Sequence, residues 1–365
     1  MTQGRKAHDI VKAASVRGKG QIEIEELPVP EPPAGMVLLK VLYCSICGSD
    51  VERLYSPVWD LATEEQLKGL RGAILGHEHV ARVQKLGEGV TGLSVGDRVV
   101  DMHIPCGTCY YCIRGMGDLC MGGRVRGHPY DGTPPPVPGP SRWGAMAEYT
   151  VRPARRLLKV PDSISDEEAA MTEPLATGVT ALHAAGTRIG DSAVIIGVGH
   201  IGLCVLAAAR AAGAAPLIAI DKNRARLRVA ADMGANIVLN PDDTDVIQAV
   251  VDATRAGPDF AFTCVSSQAA GVLEQAFEMV RFEGTVIIVG APAPAALPTG
   301  KWLTKRVTVR GVVHMGEKMF PSLRLMEHRR VDVRPMITEV VPLEDTQRGF
   351  ESLRDGQNIA VLLKP

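Results

Sequence analysis

The stretch AVIIGVGHIGLCVLAAARAAGAAPLIAID (193–221) determines the fold of the second half of the chain. A short apolar run leads into Gly197, Gly199 and Gly202, and an Ala-rich segment and a second apolar run ending at Asp221 follow. In a strand–turn–helix unit, the first glycine permits a tight turn and the second lets the backbone approach a pyrophosphate. The third lets helix and strand pack closely. The free N–H groups at the start of the helix favour phosphate there. The stretch therefore predicts a dinucleotide site, with a plain glycine turn as the alternative.

Asp221 follows the last glycine of this motif at the distance expected of the acid in a dinucleotide-binding unit. A carboxylate at the end of the second strand accepts hydrogen bonds from the adenosine ribose and repels the 2′-phosphate of NADP, so NAD is favoured. Lys222, Arg224 and Arg226 follow, and they either soften this preference or simply begin a solvated helix. Besides the three glycines and Asp221, the candidate cofactor-binding residues here are His200, Ile201 and Arg226.

Apolar runs alternate with helical, Ala-rich runs on either side of this stretch. Further strand candidates are 260–265, 285–290 and 307–313. Such alternation is typical of an α/β, doubly wound parallel sheet. The first third of the chain instead shows short apolar runs between frequent Gly and Pro residues, which predicts a β-rich domain.

Four cysteines lie close together in the pattern C-x2-C-x2-C-x7-C: Cys106, Cys109, Cys112 and Cys120. Four thiolates without a fifth ligand suit a closed tetrahedral zinc site, which stabilises a loop rather than performing chemistry. An iron–sulfur cluster and free thiols are the alternatives.

A second donor set comes from three separate segments. Cys47 lies in CSICGSD, His77 and Glu78 lie in LGHEHV, and Glu173 lies in MTEPLATG. A thiolate, an imidazole and one or two carboxylates match the composition of an open zinc site that leaves room for a substrate oxygen.

Taken in order, these motifs resemble the zinc-containing medium-chain alcohol dehydrogenase family over nearly the whole chain. The Glu-Pro pair at Glu173 is similar to the polyol, threonine and butanediol dehydrogenase branch. The resemblance implies that Cys47 and His77 bind the catalytic zinc, and it leaves Glu78 and Glu173 open as the third ligand. It also implies that Ser49 hands on the substrate proton.

The resemblance further implies that Thr177, Val289 and Ala291 lie beside the nicotinamide. Many relatives carry a histidine where this chain has Glu52, so Glu52 either relays protons or is a solvated acid. Cys44 lacks the Gly-Ser-Asp flank of Cys47 and is interpreted as a core residue.

By this resemblance the fold is a β-rich, GroES-like catalytic domain (1–176) with a structural zinc lobe (104–122), and a Rossmann NAD-binding domain (177–312). Residues 313–365 return to the catalytic domain. The expected cofactors are NAD and two Zn²⁺ per subunit, and a homodimer or homotetramer is expected.

The expected activity is reversible oxidation of a secondary alcohol to a ketone with hydride transfer to NAD. The alternatives are a zinc-independent NADPH reductase of quinones or enones and a non-catalytic zinc- and NAD-binding protein. Apolar residues at Tyr55, Val58, Trp59 and Leu61 favour an apolar or cyclic alcohol over a polyol. The substrate pocket is expected to use 55–72, 121–143 and the segment around His314.

The bulk properties restrict the partners. The net charge of -1 favours neither nucleic acid nor an anionic membrane surface. The first twenty residues lack the apolar core of a signal peptide, and the most apolar stretch is broken by glycines and charges. We therefore expect a cytoplasmic enzyme acting on a small molecule.

Overall fold

The structure is a computed structural model, and it describes residues 10–56, 60, 71–102, 104–120, 144–266, 269–290, 293–296, 299–312 and 318–365. The chain divides into two compact units. The first contains Met1–Glu173, Met315–Glu317 and Ile337–Pro365, and the second contains Pro174–His314 and Lys318–Met336.

The described strands, in chain order, are β1 (Ile10–Gly18), β2 (Gln21–Pro28), β3 (Met36–Ser45), β4 (Glu78–Leu86), β5 (Arg98–Asp101), β6 (Tyr149–Pro153), β7 (Leu157–Lys159), β8 (Ala193–Ile196), β9 (Leu217–Ile220), β10 (Ile237–Leu239), β11 (Phe260–Thr263), β12 (Thr285–Ile288), β13 (Thr308–Gly311), β14 (Ile337–Pro342) and β15 (Ala360–Lys364).

The described α-helices are α1 (Gly48–Tyr55), α2 (Tyr110–Ile113), α3 (Asp166–Ala170), α4 (Thr172–Ala185), α5 (His200–Ala211), α6 (Arg224–Asp232), α7 (Val246–Thr254), α8 (Val272–Met279), α9 (Thr299–Lys305), α10 (Met319–Glu327) and α11 (Thr346–Arg354). None of these helices is both long and apolar enough to cross a membrane.

The first unit is built on a seven-stranded sheet in the order β14-β15-β3-β4-β5-β7, with β6 also paired to β3. Strand β3 lies at its centre because MVLLKVLYCS is apolar nearly throughout and can be buried on both faces. Strands β3 and β4 pair antiparallel, and Ser45 lies opposite Glu78. The end of β3 and the start of β4 are therefore side by side, which places the residues that follow Ser45 near those that precede Glu78.

The second unit contains a six-stranded sheet in the order β10-β9-β8-β11-β12-β13, and every adjacent pair is parallel. All residues of β8, β9 and β11 are buried, as expected for parallel strands covered on both faces. The predicted combination of a β-rich domain with a doubly wound parallel sheet is confirmed.

The C-terminal boundary of the second unit differs from the sequence prediction. Residues 318–336 group with the second unit, although Met315–Glu317 before them and Ile337–Pro365 after them group with the first. The Met336 and Cys204 sulfurs are 3.7 Å apart, which attaches this segment to the buried helix α5. The sequence pattern of 313–336 gives no sign of this side-chain contact.

Candidate active site and metal centres

Three predicted metal ligands converge in the first unit. The ligand atoms of Cys47, His77 and Glu78 all lie within 4.8 Å of one another. Cys47 caps the N-terminus of α1 just after β3, and Glu78 is the first residue of β4. The antiparallel pairing of these strands therefore brings together segments that are far apart in sequence.

Burial makes this cluster unfavourable without a cation. Burial, followed by the nearby Asp50 and Glu173 carboxylates, raises the pKa of the Cys47 thiol to about 11. Burial also raises the pKa of the Glu78 carboxyl well above its ordinary value, and the Cys47 and Glu173 charges add to this effect. A divalent cation would offset the repulsion between these anionic donors. The donor set of one thiolate, one imidazole and one carboxylate fits zinc with an open position.

Glu173 lies near this cluster but is not a member of it. It is the second residue of α4, and burial raises the pKa of its carboxyl, with His77 acting in the opposite direction. Its charge acts on Cys47 and Glu78, but the group of mutually close ligand atoms contains Glu78 and not Glu173. The geometry therefore favours Glu78 as the third donor, and the sequence alone left both open.

Asp50 is a candidate functional residue that the sequence motifs alone did not identify. Its side chain is 7% exposed, and one carboxylate oxygen lies 3.7 Å from Nδ1 of His77. The other oxygen accepts a hydrogen bond from the Cys47 backbone N–H at 3.4 Å. Burial alone would lower the pKa of His77, but the neighbouring carboxylate charges, Asp50 first among them, outweigh it and the pKa is raised. The Cys-Gly-Ser-Asp run contained the signal, since a carboxylate that orients a ligand histidine is a common outer partner in metal sites.

Helix α1 also carries the predicted proton-transfer residues. The Ser49 hydroxyl donates to the Cys47 sulfur at 3.2 Å, and Ser49 is exposed. Glu52 lies three residues further along the same helix and is also exposed. Ser49 is therefore in contact with the donor cluster, and Glu52 lies about one turn further along the same helix.

The four-cysteine lobe forms a second cluster. The four sulfurs of Cys106, Cys109, Cys112 and Cys120 lie within 4.8 Å of one another. The backbone N–H groups of Cys106 and Cys109 donate to the sulfurs of Cys120 and Cys106 at 3.1 and 3.3 Å. Hydrogen bonds of the Cys106 sulfur, first with Thr108, lower the pKa of its thiol to about 6. N–H donors stabilise thiolates, so the lobe fits a closed, tetrahedral zinc site with four thiolate ligands.

The glycine motif in the second unit has the geometry expected of a dinucleotide loop. Gly197 has φ +88°, in the region that favours glycine, and a Cβ on Gly202 would lie 1.9 Å from the Gly197 carbonyl oxygen. A Cβ on Gly199 would meet nothing closer than Nη1 of Arg226 at 3.7 Å. Gly199 therefore faces open space beside the start of α5, and Arg226 borders that space.

Asp221 is held in a fixed position at the end of β9. Its carboxylate accepts hydrogen bonds from the backbone N–H groups of Val198 at 2.9 Å and Asn223 at 2.7 Å. Asn223 in turn caps α6 through the N–H groups of Ala225 and Arg226. This network connects the glycine loop, Asp221 and the first turn of α6.

The structure shows the position of some of the remaining predicted residues but few of their contacts. His200 and Ile201 are the first two residues of α5, Thr177 lies in α4, and the Val289 N–H donates to the Thr263 carbonyl at 3.0 Å. Ala291 and His314 lie outside the described residues, as do Val58, Trp59, Leu61 and residues 121–143. Tyr55 packs against the core of the first unit, and the Arg354 guanidinium lies 4.9 Å from its ring centre.

A parallel dinucleotide-type sheet and a three-residue zinc donor set define the class of zinc-binding dehydrogenases. The family model of the alcohol dehydrogenase GroES-like domain matches residues 33–162, and that of the zinc-binding dehydrogenases matches residues 201–328. The chain belongs to the zinc-containing medium-chain alcohol dehydrogenase family, as its motifs predicted.

Individual relatives match along almost the full chain. The L-threonine 3-dehydrogenase of Bacillus velezensis is 34% identical over 99% of this chain and 100% of its own length. The structure of 2R,3R-butanediol dehydrogenase from Bacillus subtilis is 28% identical, with a TM-score of 0.80 over 97% of this chain and 99% of its own. A zinc-binding dehydrogenase from Sinorhizobium meliloti bound to NADP is 25% identical, with a TM-score of 0.84 over 98% of this chain and 99% of its own.

Proposed function

We propose that this chain is a zinc-dependent dehydrogenase that reversibly oxidises a secondary alcohol to a ketone with NAD as hydride acceptor. The observation that carries the proposal is the convergence of Cys47, His77 and Glu78 within 4.8 Å of one another. The buried Glu78 carboxylate and the partly buried Cys47 thiolate need a cation when both are charged, and this set has too few ligands to close a tetrahedral zinc site.

The residues of the first unit take separate roles. Cys47, His77 and Glu78 would hold the zinc, which when bound supplies Lewis-acid polarisation of the substrate oxygen. Asp50 holds His77 in place through the contact at 3.7 Å. The exposed Ser49 hydroxyl, next to the Cys47 sulfur, accepts the substrate proton and passes it toward solvent.

Glu52 is the next acceptor along this proton path. It is exposed and lies three residues beyond Ser49, on the same face of α1. We predict that Glu52 takes part in this proton transfer, and its position on α1 is compatible with that role.

The second unit would bind NAD. The N-terminus of α5 and the open space at Gly199 suit the pyrophosphate, and the fixed carboxylate of Asp221 suits the ribose hydroxyls. NAD, when bound, would supply the hydride-accepting nicotinamide ring. Thr177 and Val289 remain the predicted nicotinamide neighbours. A second zinc in the four-cysteine lobe would make two per subunit, and we propose a homodimer or homotetramer.

Zinc analysis and activity of the holoenzyme test this proposal together. We expect two zinc ions per subunit and NAD reduction with secondary alcohols, with about 100-fold or greater loss in Cys47→Ala and one zinc missing. Cys204→Ala is the control, because it makes the same substitution at a buried cysteine in α5 of the other unit, away from the donor cluster. Full activity in Cys47→Ala would reject the zinc role and favour the zinc-independent reductase.

The substrate panel discriminates the remaining alternatives. L-threonine, 2,3-butanediol, a sugar polyol and a cyclic secondary alcohol cover the relatives and the predicted apolar preference. Turnover of none of them by a protein that binds both zinc and NADH would favour the non-catalytic binding protein.

A further inference from the structure

A hydrogen-bond network lies at the edge of the parallel sheet, where β9 and β10 end. The function proposed for the chain assigns no role to most of it. Two turns meet there, Asp221–Asn223 after β9 and Asn240–Asp243 after β10. The Asn240 side-chain amide donates to the Lys222 carbonyl at 3.0 Å, and the Asp221 N–H donates to the Leu239 carbonyl at 3.3 Å. The two turns are therefore fixed relative to each other.

Within the second turn, hydrogen bonds to Asn240 hold the backbone of Asp242 and Asp243. The Asp242 N–H donates to the Asn240 side-chain oxygen at 2.9 Å, and the Asp243 N–H donates to the Asn240 carbonyl at 3.0 Å. Asp243 then accepts a hydrogen bond from Nη2 of Arg224 at 2.6 Å. The hydrogen bond and the charge of Asp243 raise the pKa of Arg224, so the pair is electrostatically favourable.

Arg224 is the cation whose placement bears on the choice between NAD and NADP. It is the first residue of α6, three residues after Asp221. A 2′-phosphate on the adenosine ribose would meet the Asp221 carboxylate and would need an arginine nearby to be accommodated. Arg226 borders Gly199, and Lys222 offers a single point charge rather than the guanidinium fork that suits phosphate.

We propose that Asp243 is a specificity-determining residue that engages Arg224 and so keeps the dinucleotide site selective for NAD over NADP. This inference rests on the proposed NAD-dependent function. When Asp243 is absent, Arg224 becomes available to pair with a 2′-phosphate, and the repulsion by Asp221 is partly offset.

The test compares Asp243→Asn, Arg224→Ala and the double variant in the purified holoenzyme. The dissociation constants of NADH and NADPH are measured by cofactor fluorescence. Because the ion pair is exposed, we expect the NADPH-to-NADH preference of Asp243→Asn to rise by about three- to fivefold. The rise should shrink at high salt and disappear in the double variant, and Arg224→Ala alone should produce none.

Asp242→Asn is the matched control, because it removes the same charge from the same turn without removing the bond to Arg224. An unchanged preference in Asp243→Asn, an equal rise in Asp242→Asn, or a rise that survives in the double variant would each overturn the inference. If the wild-type protein binds neither dinucleotide, the proposed function itself fails. If it binds NADH and only the predicted shift is missing, the function stands and this inference falls.

Discussion

Gly199→Ala should separate cofactor binding from folding. Gly199 has φ −72° and ψ −163°, which alanine adopts freely, and the added Cβ would meet nothing closer than 3.7 Å. Alanine at such a site stabilises by about 0.4–1 kcal/mol, since the unfolded chain loses freedom. The same Cβ projects into the space where a pyrophosphate must reach the backbone. Loss of one charge-assisted hydrogen bond, worth about 1.5–3 kcal/mol, weakens binding by about 10- to 150-fold.

The assay pairs NADH titration with urea unfolding. Gly202→Ala is the contrasting variant, because its Cβ would lie 1.9 Å from the backbone oxygen of Gly197 and something must shift. We expect Gly202→Ala to lose about 1–3 kcal/mol of stability together with binding, and Gly199→Ala to lose binding alone. Wild-type NADH affinity in a folded Gly199→Ala protein would refute the assignment of this loop to the pyrophosphate.

Three further outcomes follow from the buried charges. Asp50→Asn should weaken zinc binding at the His77 site by about 10- to 100-fold, seen by competition with a chelator, and unchanged affinity would contradict the positioning role. Asp101→Asn should lower the free energy of unfolding in urea by about 3–5 kcal/mol, because the Arg152 side chain is only 7% exposed and loses its counter-charge at 2.7 Å. A decrease below about 1 kcal/mol would argue against a stabilising role for this buried ion pair. Burial alone would raise the pKa of Asp259, but its hydrogen bonds lower it. The stability advantage over Asp259→Asn should therefore be complete above about pH 4 and vanish as pH falls through the lowered pKa; a pH-independent difference would contradict this.

The parts of the fold that sequence predicts well are those encoded by local patterns. The glycine motif, the strand before it and Asp221 lie in one short stretch, 193–221, and the four-cysteine lobe is equally local. In each case the chemistry is set by spacing along the chain, so neighbours in sequence are also neighbours in space. The doubly wound sheet and the cluster of four cysteine sulfurs could therefore be predicted from the sequence.

The cluster of Cys47, His77 and Glu78 could be predicted only because the motifs occur in the order that is typical of the family. Nothing in the spacing of Cys47 and His77 says that they meet; the pairing of Ser45 with Glu78 across β3 and β4 does. Asp50 was missed because its role depends on a contact with His77, which lies in a different segment of the chain. The choice between Glu78 and Glu173 likewise required distances, which spacing does not supply.

The two candidate metal centres differ in how the surrounding chain affects the charge of their donors. In the lobe, backbone N–H groups donate to the sulfurs of Cys106 and Cys120, and the pKa of the Cys106 thiol is lowered to about 6 by its hydrogen bonds, whereas burial raises the pKa of Cys112 to about 12. The chain itself therefore stabilises part of this donor set. At Cys47 and Glu78, burial and neighbouring carboxylates disfavour the charged forms. A cation bound there would be the main source of stabilisation for these donors, and the three residues would leave a coordination position open. That contrast agrees with a closed structural site in the four-cysteine lobe and an open reactive site at Cys47 and Glu78. A metal ion that protein ligands coordinate only in part can still bind a further ligand.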